Sequence, residues 1–204
     1  AKDGSAEDVG LYRASVRNKS KLAYNSVDAW LDGLGPLPPA AAAVAGMDAQ
    51  LRLQDEAAVA LAKRRHEQGA LEFTTIQTQP AFKGDTLQDL HAESPNRAKR
   101  LIENLMVAAN GVTARFLEAH GMPSIRRVVR TPKRWDRIVA VAAVTGDTLP
   151  GAPDARALNA FLAKRRAADP QGFPDLSTTI IKLLGAGEYV LDRPGDDPPG
   201  HFGL

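Results

Sequence analysis

Arg97-Ala98-Lys99-Arg100-Leu101-Ile102-Glu103-Asn104-Leu105-Met106-Val107-Ala108-Ala109-Asn110 is the stretch that decides the fold class. Stepped at about 100° per residue, it reads as the middle of a helix from Ser94 to His120. Leu101, Leu105, Ala108, Ala109, Val112 and Phe116 gather on one side, the expected core face. Arg97, Arg100, Asn104, Arg115 and Glu118 gather on another, the expected wet face. Glu103 and Asn110 share a third direction with Met106, Val107 and Ala114. A carboxylate set in that apolar stripe needs either an arginine from elsewhere in the fold or a ligand. The pattern leaves both open.

The composition of the 204 residues agrees with a helix-rich globular chain. Hydrophobic residues make up 44% and charged residues 25%, which excludes a disordered polyelectrolyte. Aromatics are only 5% and much of the apolar content is alanine, which favours close-packed helices over a β-sandwich. The absence of cysteine excludes disulfides and thiolate metal sites and fits a reducing, cytoplasmic setting. No run approaches the roughly 18 apolar residues of a membrane span. The start, Ala-Lys-Asp-Gly-Ser-Ala-Glu-Asp, is polar and lacks Met. It does not read as a signal peptide and looks like the interior of a longer chain.

Upstream of the helix, Val9 to Asn18 alternates enough to predict a strand. Ser20 is the expected cap of a helix holding Tyr24, Val27, Trp30 and Leu31, ended by Gly33 and Gly35. Pro36, Pro38 and Pro39 make a connector, and Ala40 to Gln68 reads as one long helix closed by Gly69. Leu71 to Gln79 is β-branched and predicts a strand, followed by a turn over Pro80 to Asp85. Downstream, Gly121 and Pro123 stop the central helix and Ser124 to Arg130 predicts a short strand. Thr131-Pro132 looks like a cap with Pro at the first helical position, opening a helix to Val144. Asp154 caps a helix to Ala168, Pro170 to Pro174 breaks it, and Asp175 or Ser177 opens another to Leu184. A last strand is expected around Tyr189 and Val190.

There is no glycine-rich phosphate loop, no His-Glu-x-x-His and no Gly-x-Ser-x-Gly. His66, His91, His120 and His201 have no ligand spacing, so a zinc site is not expected. Net charge is only +2, but Arg126, Arg127, Arg130, Lys133, Arg134 and Arg137 stand close together around Trp135. Such a run either tracks a phosphate backbone or is a solvated face. Tyr24 follows Arg17, Lys19 and Lys21, and an aromatic beside cations at a helix start can stack on a base.

Four segments together resemble the ribonuclease II and ribonuclease R family of processive 3′-to-5′ exoribonucleases. Ser20 to Leu31 is similar to the family's Ser-x-Ala-Arg-Leu-x-Tyr-x-x-Val-x-x-x-Leu segment. Leu61 to Leu71, with Arg64-Arg65 and Gly69-Ala70-Leu71, is similar to its Arg-Arg-x-x-Gly-Ala-Leu end of a long helix. Arg97 to Asn110 resembles its Leu-Ile-Glu-Glu-x-Met-x-x-Ala-Asn run. Gly200-His201-Phe202-Gly203-Leu204 resembles its His-Phe-Gly-Leu run.

The resemblance implies an α+β fold, helix-rich with a few short strands, gripping the last nucleotides of single-stranded RNA. It implies that Tyr24 clamps a 3′-terminal base and that Glu103 lies near the terminal nucleotide and its ribose, as the catalytic-site acid. Arg17, Lys21, Asn110 and the aromatic Phe82 are the further RNA-binding candidates. The family's Asp-x-Asp-Asp-like cluster, which holds Mg²⁺, does not occur before Tyr24; Asp3, Glu7 and Asp8 have the wrong spacing. The family's Thr-Ser-Pro-Ile-Arg-Arg-Tyr segment is also not found. Residues 1–204 are therefore expected to be part of a catalytic domain, inactive alone, that works with the remaining segments of the same protein. A Mg²⁺-dependent enzyme, monomeric and releasing nucleoside 5′-monophosphates, is the expectation for the intact protein. A non-catalytic RNA-binding module and a helical interaction domain are the alternatives.

Overall fold

In a computed structural model of the protein, residues 3–5, 7, 9–92, 94–197 and 200–202 are described. Asp8, and Gly203 and Leu204 of the last family-like run, lie outside them. The elements are α1 (Tyr24–Leu31), α2 (Pro39–Ala42), α3 (Met47–Glu67), β1 (Thr78–Lys83), β2 (Thr86–Ala92), α4 (Arg97–Ala119), β3 (Ser124–Val128), α5 (Trp135–Val144), α6 (Ala155–Ala168), α7 (Phe173–Leu184) and β4 (Glu188–Asp192). The mixture of helices with two short antiparallel pairs, β1–β2 and β3–β4, is the α+β class expected. No helix among the described residues is long and apolar enough to cross a membrane.

The chain divides into two compact units. The first joins Ala1–Arg64 to Pro95–Gly121 and the second joins Arg65–Ser94 to Met122–Leu204. In the first, Val27 and Leu31 of α1, Ala58 of α3, and Ala98 and Leu101 of α4 form the buried core. Leu22, Trp30 and Leu105 flank it, and the Arg52 guanidinium of α3 lies 4.4 Å from the Trp30 ring. In the second, Trp135, Ile138 and Ala142 of α5 pack with Leu158, Phe161 and Leu162 of α6 and with Phe173 and Ile180 of α7.

Local chemistry sets the boundaries. The start expected at Ser94 falls instead at Arg97, where Asn96 caps α4, its Oδ1 accepting from Lys99 N at 2.9 Å, while Gly121, the expected stop, lies just beyond its end at φ 66°. The Asp154 Oδ1 accepts from Arg156 N and Ala157 N and so caps α6.

Other expectations are corrected. Val9 to Asn18 forms no strand, because no other strand pairs with it. Ser20 does not cap α1; its hydroxyl donates to Ala40 O at 2.7 Å, and Ala23 holds the cap position without a side-chain bond. The long helix is interrupted between Ala42 and Met47, where Gly46 takes φ 74°. The strand expected at Leu71 to Gln79 begins only at Thr78, runs through Pro80 to Lys83, and pairs with an unanticipated β2 across Gly84-Asp85. Thr131-Pro132 does not open α5, which starts at Trp135, and α7 starts at Phe173 with Pro174 in its first turn. Ser177 is instead buried, its hydroxyl oxygen accepting from Thr74 N at 3.3 Å.

Candidate functional site

The α4 wheel holds for most of its core face, and for Arg100, Arg115 and Glu118 of its wet face, which are exposed; it fails for the direction of Glu103 and Asn110. Ala98 and Leu101 are buried, and Leu105, Ala108, Val112 and Phe116 are half-buried, while Ala109 is exposed. Glu103 and Asn110 are exposed, on the side that also carries Ile102 and Met106, rather than set away from solvent. Arg97 and Asn104, expected on the wet face, are half-buried.

The reason is a carboxylate cluster at the start of α4. Asp55 is the polar position in the buried stripe Leu51, Asp55, Ala58 of α3. Its two oxygens accept a fork from Arg97, with Nε at 3.0 Å from Oδ1 and Nη2 at 2.6 Å from Oδ2. The Arg97 Nη1 donates to Asp32 Oδ1 at 3.0 Å and to Leu31 O at 3.3 Å, both at the end of α1. Hydrogen bonds from its side chain to Asp55, then to Asp32, push the guanidinium pKa further above its ordinary value. Arg97 is thus drawn inward at the start of α4, while Arg100, Arg115 and Glu118 further along its side of the helix stay exposed, and Glu103 and Asn110 also face water.

The same helix start is tied to α1 by two more bonds. Asp28 Oδ1 accepts from Arg97 N at 2.5 Å, and Asn96 Nδ2 donates to Asn25 Oδ1 at 3.2 Å. Tyr24 precedes Asn25, is 47% exposed, and follows the exposed residues Arg17 and Lys21. The first unit thus holds Arg17, Lys21, Tyr24, Glu103 and Asn110, all solvent-facing. Phe82 belongs to the second unit, where it is 62% exposed beside a register shift in the β1–β2 pair.

Three of the six cations in the basic run of the second unit have partners within the fold. Arg126 pairs with Asp192 at 2.5 Å and Arg130 with Glu188 at 2.5 Å, which ties β3 to β4. Arg134 Nη2 donates to Lys182 O at 2.5 Å. Trp135 is core, not a stacking surface: it is 4% exposed and its Nε1 donates to Pro150 O at 2.8 Å. Near the chain's end, Phe202 N donates to Val129 O at 2.7 Å and its ring meets Trp135 edge-on at 5.9 Å. His201 and Phe202 border a cavity of about 470 Å³ together with Gln68, Pro150 and Arg156.

Among the described residues no three His, Cys, Asp or Glu side chains gather as a metal cage. Asp32 and Asp55 are already bridged by the Arg97 guanidinium, which stands where a cation would have to sit. The described residues therefore do not fit a Mg²⁺ site. Sequence reasoning missed the Arg97–Asp55 pair, although an Asp in the Leu51–Ala58 stripe of an alanine-rich helix was a readable signal of a buried partner.

The RNB domain model matches residues 1–204. This chain belongs to the RNB domain family. Its relatives include ribonuclease R 1 of Lactococcus lactis, 25% identical over 208 residues, covering 99% of this chain and 24% of that protein. Exoribonuclease 2 of Klebsiella pneumoniae (strain 342) is 28% identical over 214 residues, covering 100% of this chain and 31% of that protein. The RNB chain thus spans about a quarter to a third of the length of these curated relatives. Its fold is similar to that of Mycoplasma genitalium RNase R in complex with ribose-methylated single-stranded RNA, at TM-score 0.73 and 18% identity, over 88% of this chain and 27% of that one. The same enzyme in complex with double-stranded RNA gives TM-score 0.66 and 16% identity, over 82% and 30%.

Proposed function

We infer that this chain is the part of a 3′-to-5′ exoribonuclease that grips the 3′ end of single-stranded RNA, in an enzyme that releases nucleoside 5′-monophosphates. The observation that carries this is the RNB domain match along the whole chain. The exposed residues of the first unit give the reading its contacts. The Tyr24 ring stacks on a terminal base, and Lys21 and Arg17 meet phosphates. The Glu103 carboxylate accepts a hydrogen bond from a hydroxyl of the terminal ribose, which makes it the acid of the catalytic site. Asn110 lies about 10 Å further along α4 and meets the strand away from its end. Phe82, exposed on the second unit, is a stacking candidate in its own right. Mg²⁺ belongs to other segments of the same protein, none of the described residues is assigned to it, and this segment alone is inactive. The intact enzyme works as a cytoplasmic monomer.

The test is digestion of a labelled single-stranded RNA by the intact protein carrying Tyr24→Ala. The expected result is weaker retention of the last nucleotides and longer end products. A base stack is worth about 1–3 kcal/mol, so affinity for a short oligonucleotide should fall roughly 5- to 150-fold. Unchanged end products and affinity would overturn the assignment of Tyr24. Release of mononucleotides by the isolated 204-residue chain would overturn its inactivity.

A further inference from the structure

The geometry points to Arg97 as a positioning residue that fixes the spacing between Tyr24 and Glu103, and hence the enzyme's preference for a terminal ribose. This rests on the reading of those two residues just given.

Asn25 and Asp28 of α1 and Asp32 at its C-terminal cap are spaced at intervals of three and four residues along one side. All three meet the start of α4. Asn25 takes the Asn96 amide, Asp28 takes the backbone N–H of Arg97, and Asp32 takes the Arg97 guanidinium. The rest of that guanidinium is forked onto Asp55 of α3. One side chain therefore ties α4 to both of the other helices that contribute to this core. Tyr24 is the residue before Asn25, at one end of the tied stripe. Glu103 is seven residues beyond Asn96, about 10 Å along α4. A roll or slide of α4 against α1 would change the gap between the two and would have to break these bonds.

The apolar contacts do not impose that register by themselves. Val27 and Leu31 meet Ala98 and Leu101, and burial of such groups is non-directional. A small side chain such as Ala98 lets one helix shift over the other with little loss of contact. The fork of a guanidinium on a carboxylate is directional. Buried ion pairs are often replaceable by apolar residues with little loss of stability, so what this one adds is position.

The test uses the intact protein with Arg97→Lys, Arg97→Met and Asp32→Asn, each compared with wild type. The substrates are a single-stranded RNA and the same strand ending in a 2′-deoxynucleotide. The readout is the ratio of their kcat/KM values, with thermal unfolding measured in parallel. A purely structural role lowers the active fraction for both substrates equally and leaves the ratio alone. The expected result is a ratio reduced about three- to tenfold by Arg97→Met, less by Arg97→Lys, because sub-ångström placement is what such discrimination depends on. Asp32→Asn, on the half-exposed leg of the cluster, decides the matter if the Arg97 variants do not fold. Tyr24→Ala and Glu103→Gln serve as references. If they lower the ratio and the Arg97 and Asp32 variants do not, the positioning role is overturned. If the references leave the ratio and the end products unchanged, the reading of Tyr24 and Glu103 fails instead.

Discussion

The Asp55 carboxylate, only 7% exposed, is held by the Arg97 guanidinium at 2.6 Å, across 42 residues of sequence. Removing the charge on Asp55 leaves a cation half out of water with Asp32 as its remaining charged partner and Leu31 O as a neutral one. Breaking a fully buried pair costs about 3–5 kcal/mol. The Arg97 side chain is 39% exposed, so solvent screens part of that, and we expect Asp55→Asn to cost about 2 kcal/mol. Asp32→Asn, on the wetter leg, should cost within about 0.5 kcal/mol. Urea unfolding of the two variants checks this order. Equal losses would mean that the fork to Asp55 holds nothing special.

A different carboxylate sets a pH dependence. The Ser5 hydroxyl donates to Asp3 Oδ1 at 2.7 Å and the Ser5 N–H donates to the same oxygen at 2.9 Å. These bonds, followed by the nearby Arg64, lower the Asp3 carboxyl pKa from 3.8 to about 2. The folded state therefore favours the charged form. Its contribution is complete above the unfolded value and is lost as pH falls through about 2. A carboxyl-carbon NMR titration should place the Asp3 midpoint at about 2, below the ordinary 3.8. Ser5→Ala should move it back toward the ordinary range, and a midpoint indifferent to Ser5 would contradict this origin.

What could be read from the residues alone was local, and what could not was paired at a distance. The Asp154 cap acts on N–H groups two and three residues away, so the start of α6 was legible, whereas α4 starts at Arg97 behind its Asn96 cap rather than at Ser94. β2 was not, because Leu87 and Leu90 are exposed and the strand carries no buried alternating face to betray it. Pro80 read as a breaker but sits within β1, opposite Leu90. Gly46, itself a poor helix former, was outweighed in that reading by the alanines around it. For the candidate site, the stretch around Glu103 was recognisable, whereas its exposure was not. The wheel weighs each side chain against its own helix and cannot know that Arg97 is claimed by Asp55 of another.

Trp135 separates a core role from a binding role. In sequence it stands among six cations, where a stacking aromatic is as plausible as a buried one. In the fold it packs with Ile138, Leu158 and Phe173, and its indole N–H is committed to Pro150 O. Trp135→Ala should therefore destabilise the protein by about 3–5 kcal/mol through the cavity it leaves. Trp135→Phe keeps most of the apolar contact but leaves Pro150 O without its donor, for a loss of about 1–2 kcal/mol. Neither effect involves RNA, because a ring that is 4% exposed offers no face to a base. The comparison to make is thermal unfolding beside the affinity of Trp135→Phe for a short single-stranded RNA. We expect a lower unfolding temperature with an unchanged dissociation constant. An unchanged unfolding temperature with weakened RNA binding would return Trp135 to the surface and the basic run to the phosphate backbone.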